Sequence, residues 1–198
     1  MKLEGSVIGE KVVLATLDES ASQESYLSWL SDKEVTRYLD VRYAPPPSPE
    51  ALREYVLNVN SSHSNLLLGI FSRSENLHVG NIKLGPIDWR HLRGEIGLLI
   101  GDKTVWGHGF ASEAIRLMAR YAFESLHLAK LTAGCYAGHA GSAKAFLKAG
   151  FSLEATLPSH LVFEGRRVDR LVLGLVGAME ISMKTQSPTI AEVSKNIK

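Results

Sequence analysis

Apolar residues recur along the chain with two periods, and the clearest change of period falls between residues 95 and 125. Ile96 to Ile100 is a continuous apolar run, the pattern of a buried strand. A turn follows at Gly101 to Thr104, then Trp106-Gly107-His108-Gly109-Phe110-Ala111, in which three positions carry little or no side chain. Beyond it Ile115, Met118, Ala119 and Ala122 share one helical face, so a helix begins near Ser112.

Upstream, Val12, Val13, Leu14 and Leu17 predict a strand over 11–17, punctuated by Asp18. Tyr26, Leu27, Trp29 and Leu30 form one helical face, and Val35, Tyr38 and Leu39 a second, which together read as a helix–turn–helix unit. Ala44 to Pro49 interrupts regular structure. Ser48 as N-cap and Pro49 at the first position start a helix over 49–60, with Leu52, Tyr55, Val56 and Val59 inward. Strands are expected at 65–72 and 77–86, joined by Arg73 to Asn76, and the polar turn Asp88 to Arg93 leads to a strand at 94–100. Further on come a strand at 130–136, a helix at 142–149 ending in Gly150, and strands at 151–157 and 167–175. The pattern fades from Gly177, so residues 1–176 read as one domain and 177–198 as a poorly ordered tail. The order gives an α+β fold with one parallel strand–loop–helix–strand step.

A strand, a small-residue loop and a helix N-terminus form a phosphate cradle, because free N–H groups and the helix dipole favour an anion. A Walker loop needs Lys after its last glycine, and Phe110 follows Gly109. A dinucleotide fingerprint is weakened by Ser112 at the third glycine position and by the lack of an acidic residue near 128–131. The 198 residues carry a net charge of +1, which gives no case for nucleic acid as the main partner. Cys135 is the single cysteine, so no intrachain disulfide forms, and the histidines lack metal-ligand spacing, so no metal is expected. The first residues lack the apolar core of a signal peptide and no run approaches the ~20 residues of a membrane span, so no membrane association and a cytoplasmic location are expected.

Trp106-Gly107-x-Gly109-Phe110-Ala111-Ser112-Glu113-Ala114 resembles motif A of the GNAT acetyltransferases, in the form found in the subgroup with ribosomal-protein alanine N-acetyltransferases. Gly9-Glu10-Lys11-Val12-Val13-Leu14, Asp32-Lys33-Glu34-Val35, Gly94-Glu95-Ile96-Gly97, Lys148-Ala149-Gly150-Phe151 and Glu164-Gly165-x-x-x-Asp169 resemble further elements of that subgroup, in order. Trp106 stands where Arg or Gln is commoner. The resemblance implies a mixed, mostly antiparallel sheet of about six to seven strands, flanked by helices and splayed between strands four and five. It implies acetyl-CoA as co-substrate, its pyrophosphate on the loop and its pantetheine arm on the edge Leu98, Leu99, Ile100, with the Ile100 N–H near the developing oxyanion.

The expected reaction is direct attack of a primary amine on the thioester in a ternary complex. Glu95 is the candidate base, or else a solvent-facing strand residue in the Glu95-Ile96-Gly97-Leu98 alternation. The usual acid position, a Tyr before Lys-x-Gly-Phe, is Phe146, which cannot donate a proton. Ser142 is the alternative acid, or the N-cap of its helix, or both. Cofactor contacts are expected from Trp106, Gly107, His108, Gly109, Phe110, Ala111, Ser112, His139 and Phe146, the last two by position in the family pattern. Lys144 and Lys148 either approach a phosphate or form a solvated face, and Cys135 reads as packing. Acceptor contacts are expected from Tyr38, Tyr43, Trp89 and Asp169; Asp169 is open between an ammonium and Arg166. The acceptor is left open among a protein N-terminus, an amino sugar and another small amine such as a polyamine. A homodimer is left open, as is a second role: a cofactor-binding sensor or scaffold without turnover.

Overall fold

The change from strand to helical period at residue 100 marks the centre of an eight-stranded sheet. The computed structural model describes residues 1–17 and 23–177. In chain order these form β1 (Ser6–Ile8), β2 (Val12–Thr16), α1 (Gln23–Ser31), α2 (Pro49–Ser61), β3 (Leu66–Ser72), β4 (His78–Leu84), β5 (Arg93–Ile100), α3 (Phe110–Glu124), β6 (Lys130–Tyr136), α4 (Ala140–Lys148), β7 (Ser152–Phe163) and β8 (Arg166–Val176). The sheet order is β1-β2-β3-β4-β5-β6-β8-β7. Every pairing is antiparallel except β5 with β6. This is the expected α+β arrangement, with the short β1 pairing along β2 as an additional edge. The expected tail and the Asp18 punctuation fall mainly on residues 178–198 and 18–22, which lie outside the described residues.

Alternation sorts the side chains onto two faces. Ile96 of β5, Leu131 and Ala133 of β6 and Leu173 of β8 pack with Ile115 and Met118 of α3 and Phe146 of α4. On the opposite face, Leu99 packs with Trp29 and Val35, and Val56 and Val59 of α2 cover Leu67 and Leu17. Glu95, Gly97 and Leu99 therefore share the face covered by α1 and the segment after it.

Four local readings are revised. Residues 33–39 form turns rather than a second helix, followed by a short 3-10 helix at Asp40–Tyr43. Asp32 and Thr36 explain it: Asp32 Oδ1 accepts from Glu34 N at 2.8 Å, and Thr36 Oγ1 donates to Asp32 O at 2.8 Å, so side chains compete with helical bonding. α3 begins at Phe110, directly after the loop, and α4 begins at Ala140. β7 runs on to Phe163 because Glu164 (φ 49°) and Gly165 (φ 76°) make a two-residue hairpin turn matched to strand twist. The predicted cap of α2 is present, with Ser48 accepting from Ala51 N.

Gly101 ends β5 beneath the indole of Trp29, and a Cβ there lies 1.8 Å from Trp29 Cδ2. Gly101→Ala forces the indole outward and loosens its contacts with Val35 and Leu99. We expect a loss of about 1–3 kcal/mol in urea unfolding, with a shifted tryptophan emission. An unchanged midpoint would show that Trp29 does not anchor this segment.

Candidate active site

β5 and β6 pair in parallel only at Arg93↔Lys130, Gly94↔Leu131 and Glu95↔Thr132. Beyond Glu95 they part. Glu95 O accepts from Gly85 N and Gly101 N donates to Val79 O, so odd-numbered residues turn their main chain towards β4. By alternation the main-chain groups of Leu98 and Ile100 face the gap. Ile100 O is already taken: it accepts from Trp106 Nε1 at 2.9 Å. The aromatic residue at the usual Arg or Gln position thus ties the loop to the strand end.

The loop is braced from both sides. Asp102 Oδ1 accepts from Thr104 N at 2.9 Å and caps a short 3-10 helix, Lys103–Val105. Lys103 Nζ pairs with Asp32 at 2.8 Å and Glu34 at 3.0 Å, which gives the Asp32-Lys33-Glu34-Val35 element a structural task. The Lys103 ammonium hydrogen-bonded to Asp32 holds that carboxyl below its ordinary range. Gly107 and Gly109 have φ of 79° and 87°, the left-handed region that glycine enters without strain. Gly109 precedes α3, so the amides of Phe110, Ala111 and Ser112 begin a helix without acceptors four residues back.

Glu113, buried in the first turn of α3, accepts from Lys11 N at 3.0 Å and also from Glu10 N. Gly9 leaves the room, since a Cβ there would lie 2.3 Å from Glu113 Oε1. Lys11 Nζ donates to His108 O at 2.8 Å. The opening Gly9-Glu10-Lys11 element therefore fastens the back of the loop.

Two cavities meet at the gap. The first, about 350 Å³, runs along Leu98, Leu99 and Ile100, past Trp106, Gly107 and Gly109 to Ser112, and across to Lys144 and Lys148 of α4. The second, about 280 Å³, opens between the parted strands, with Glu95, Gly97, Gly134, Tyr136, Leu161 and Arg170 on its walls. Tyr38, Leu39, Leu98, His139 and Ser142 line both. Gly97 leaves its side of the second cavity open, with nothing within 4 Å of where a Cβ would stand.

Most residues singled out from the sequence meet here. Phe146 is 2% exposed and lines the second cavity. Ser142 is the third residue of α4 rather than its N-cap, which is His139 with no side-chain cap bond. Burial pushes up the pKa of the Cys135 thiol, and the Ser142 hydroxyl opposes that shift. His139 stacks on Tyr38 with centroids 4.3 Å apart, and burial lowers its pKa. His108, Tyr43, Trp89 and Asp169 line neither cavity. His108 offers the loop its carbonyl and keeps its side chain exposed. The Tyr43 hydroxyl donates to Val162 O at 2.6 Å. Trp89 Nε1 donates to His63 O at 3.0 Å. Asp169 Oδ1 accepts from Ser159 N at 2.8 Å within the β7–β8 hairpin, and no ion pair of Asp169 with Arg166 is found among the described residues.

Sequence reasoning missed Arg170, whose Nη2 donates to Glu95 Oε1 at 3.2 Å. Its signal was present: Arg170 alternates with Leu171, Leu173 and Leu175, which pack on the other face. Arg42 donates to the Tyr43 and Tyr136 hydroxyls and to Val162 O.

Two outcomes follow from this geometry. Glu113→Ala leaves the Glu10 and Lys11 amides without their carboxylate, at about 1.5–3 kcal/mol for such bonds, read as a lower urea midpoint. A midpoint equal to wild type would mean the loop is not fastened there. For His139, a folded-state pKa below the ordinary value of about 6.5 means that the unfolded chain takes up its proton first as pH falls. His139 thus contributes stability above about pH 6.5 that is lost on acidification, and His139→Gln should flatten the fall in Tm between about pH 7.5 and 5.5. An unaltered pH profile in the variant counts against it.

The family model described as an acetyltransferase (GNAT) domain matches residues 11–152. The chain is similar to an uncharacterized N-acetyltransferase, p20, of Bacillus licheniformis, 28% identical over 74% of this chain and 82% of that protein. It is also similar to an uncharacterized N-acetyltransferase, YoaA, of Bacillus subtilis, 26% identical over 79% of this chain and 89% of the relative. Among solved structures, spermidine N-acetyltransferase from Vibrio cholerae, in complex with CoA and spermine, superposes with a TM-score of 0.74 at 18% identity, covering 85% of this chain and 96% of that one. The matched span takes in β2, the parted strands, the glycine loop and α4, and so the chain belongs to the GNAT acetyltransferases and is an acyltransferase.

Proposed function

We propose that the protein transfers an acetyl group from acetyl-CoA to a primary amine by direct attack, with donor and acceptor bound together. The carrying observation is that two cavities meet at a wall shared by Tyr38, Leu39, Leu98, His139 and Ser142. Residues of the first cavity suit the donor. The open amides at the start of α3 suit a pyrophosphate, and the Lys144 and Lys148 ammonium groups suit a further phosphate. The unpaired edge at Leu98 and Ile100 suits an extended amide chain, which would satisfy main-chain groups the splay leaves without strand partners. With Ile100 O held by Trp106, the Ile100 N–H is left to stabilise negative charge on the thioester oxygen. The solved relative with CoA bound supports a CoA donor.

The acceptor amine enters from the second cavity. As an ammonium it must lose a proton before its nitrogen lone pair can attack, and Glu95 is placed on that wall to receive one. The new C–N bond forms at the thioester carbon and the C–S bond breaks. The sulfur leaves with the bonding pair and is protonated to the thiol, while the nitrogen gives up its second proton as the amide forms. Ser142, on the shared wall, can donate a hydrogen bond to the departing sulfur, a role closed to Phe146. The name of the spermidine enzyme makes a small amine the first acceptor class to try.

Thiol release from acetyl-CoA across amino acids, amino sugars, polyamines and peptide N-termini tests the proposal. Glu95→Gln should lower kcat/KM by roughly 10²–10⁴-fold while acetyl-CoA binding by calorimetry persists. Unchanged turnover in that variant would remove Glu95 from the chemistry, and a chain that binds acetyl-CoA yet releases no thiol with any amine would contradict acetyl transfer.

A further inference from the structure

The second cavity contains a cation that the acetyl-transfer reading does not use. Arg170 rises from β8, on the face opposite Leu171 and Leu173, and reaches over β6 to Glu95 on β5. Gly134 makes the crossing feasible: a Cβ there would lie 2.4 Å from Arg170 Nη2 and 2.6 Å from Nε. The guanidinium thus lies flat across a site where β6 has no side chain, at the wall of the cavity.

Its donors are mostly unspent. Of five N–H groups, one donates to Glu95 Oε1 at 3.2 Å, and no other protein partner is found among the described residues. The pair is single rather than bidentate, and both side chains remain partly open, at 34% for Arg170 and 45% for Glu95. The neighbouring arginines differ. Arg42 donates to two tyrosine hydroxyls and two carbonyls, and Arg37 pairs with Glu164. Arg170 is therefore the cation of this wall with donors left for a ligand. A fixed fork of N–H groups is shaped for a carboxylate or phosphate.

We propose that Arg170 anchors an anionic group of the acceptor, so that the second cavity takes small amines bearing a carboxylate or phosphate rather than polyamines. The inference rests on the acetyl-transfer reading and names the substrate class for it. Of the two carboxylates on this cavity, Glu95 is already paired with Arg170, so a polyamine would bring several positive charges against that guanidinium with Asp40 alone left to balance them. An anionic acceptor does the opposite. Its anion takes the free donors of Arg170 and competes for the one held by Glu95. Glu95 Oε1 then becomes available to the amine of the same molecule, so the group that identifies the acceptor also releases the base.

The test uses the full chain, acetyl-CoA and matched acceptor pairs that differ only in the anion: free amino acids against their carboxamides, and glucosamine 6-phosphate against glucosamine, with spermidine alongside. An amino acid carboxamide has the less basic amine, so easier deprotonation works against the expected result. We expect kcat/KM about 10–100-fold higher for the anionic member of the productive pair, the range of one charge-assisted contact. A preference among the amino acids identifies carboxylate, and one among the sugars identifies phosphate. Arg170→Gln and Gly134→Ala should bring the ratio towards one, through KM more than kcat, with acetyl-CoA binding by calorimetry retained. Equal rates within both pairs, an Arg170→Gln ratio unchanged from wild type, or spermidine as the best acceptor overturns the inference while leaving acetyl transfer standing. Absence of thiol release with every acceptor overturns both. The wild-type ratios decide the matter even if a variant fails to fold.

Discussion

Two adjacent parallel strands that stop pairing after three residues define this molecule. A sheet interior normally leaves no N–H or C=O unpaired, because each orphaned group costs about as much as a lost hydrogen bond. Here β5 and β6 separate after Glu95, and the exposed main chain of Leu98 and Ile100 faces open space. The fold tolerates the gap because its rims are held independently. β5 is paired with β4 from Ile96 to Ile100, the stretch that borders the gap, and β6 with β8 along its whole length. α3 and α4 close the far face with Ile115, Met118 and Phe146. The gap is thus a fixed opening between two rigid half-sheets, and rigid walls are what positions reactants cheaply for attack.

Missing side chains shape the opening as much as those present. Gly97 gives the second cavity its depth, Gly134 gives Arg170 a path, and Gly101 receives the Trp29 indole. Each glycine sits in a strand or at its end, where it weakens the strand and is kept only where something else must come close. Around the loop the same logic runs through Gly9, which makes room for Glu113. That one carboxylate links β2 to the start of α3, so the phosphate-type cradle is aligned with the sheet through a buried charge-assisted contact.

Local pattern carried most of the fold. β6 and the cap of α2 were legible because alternation and cap chemistry are written within a few residues. The glycine loop was legible because Gly107 and Gly109 follow a polar turn and directly precede a strong helical face. What differed had two sources, local side-chain bonding that the apolar period does not show and partners far along the chain. Residues 33–39 read as helix until Asp32 and Thr36 drew the backbone into turns. Ser142 read as a cap because the small-residue run Ala137 to Gly141 hides the start of α4, which lies two residues earlier at Ala140. Trp89 and Asp169, read as site residues by type, line neither cavity; Trp89 Nε1 donates to His63 O and Asp169 Oδ1 accepts from Ser159 N. Arg170 was overlooked because its partner, Glu95, is 75 positions away on a strand it does not pair with.

The segment from Asp32 to Tyr43 is held differently from the walls it covers. Its start meets the rest of the molecule through exposed charges, Asp32 and Glu34 with Lys103, its middle through Arg37 with Glu164, and its end through Arg42 and Tyr43, which donate to Tyr136 Oη and Val162 O. The ion pairs are screened by water and contribute little each. Between them, Tyr38 stacks on His139 at 4.3 Å and on Phe163 at 5.0 Å, a ring contact that is directional but readily re-formed. Val35 and Leu39 add an apolar seat against Trp29 and Leu99. The floor beneath is a hydrogen-bonded sheet with Ile96 and Phe146 almost fully buried. Tyr38 and Leu39 line both cavities, so this segment is the wall common to the two, and its hold on the β7–β8 hairpin through Arg42 and Tyr43 keeps that wall in register with the gap beneath it.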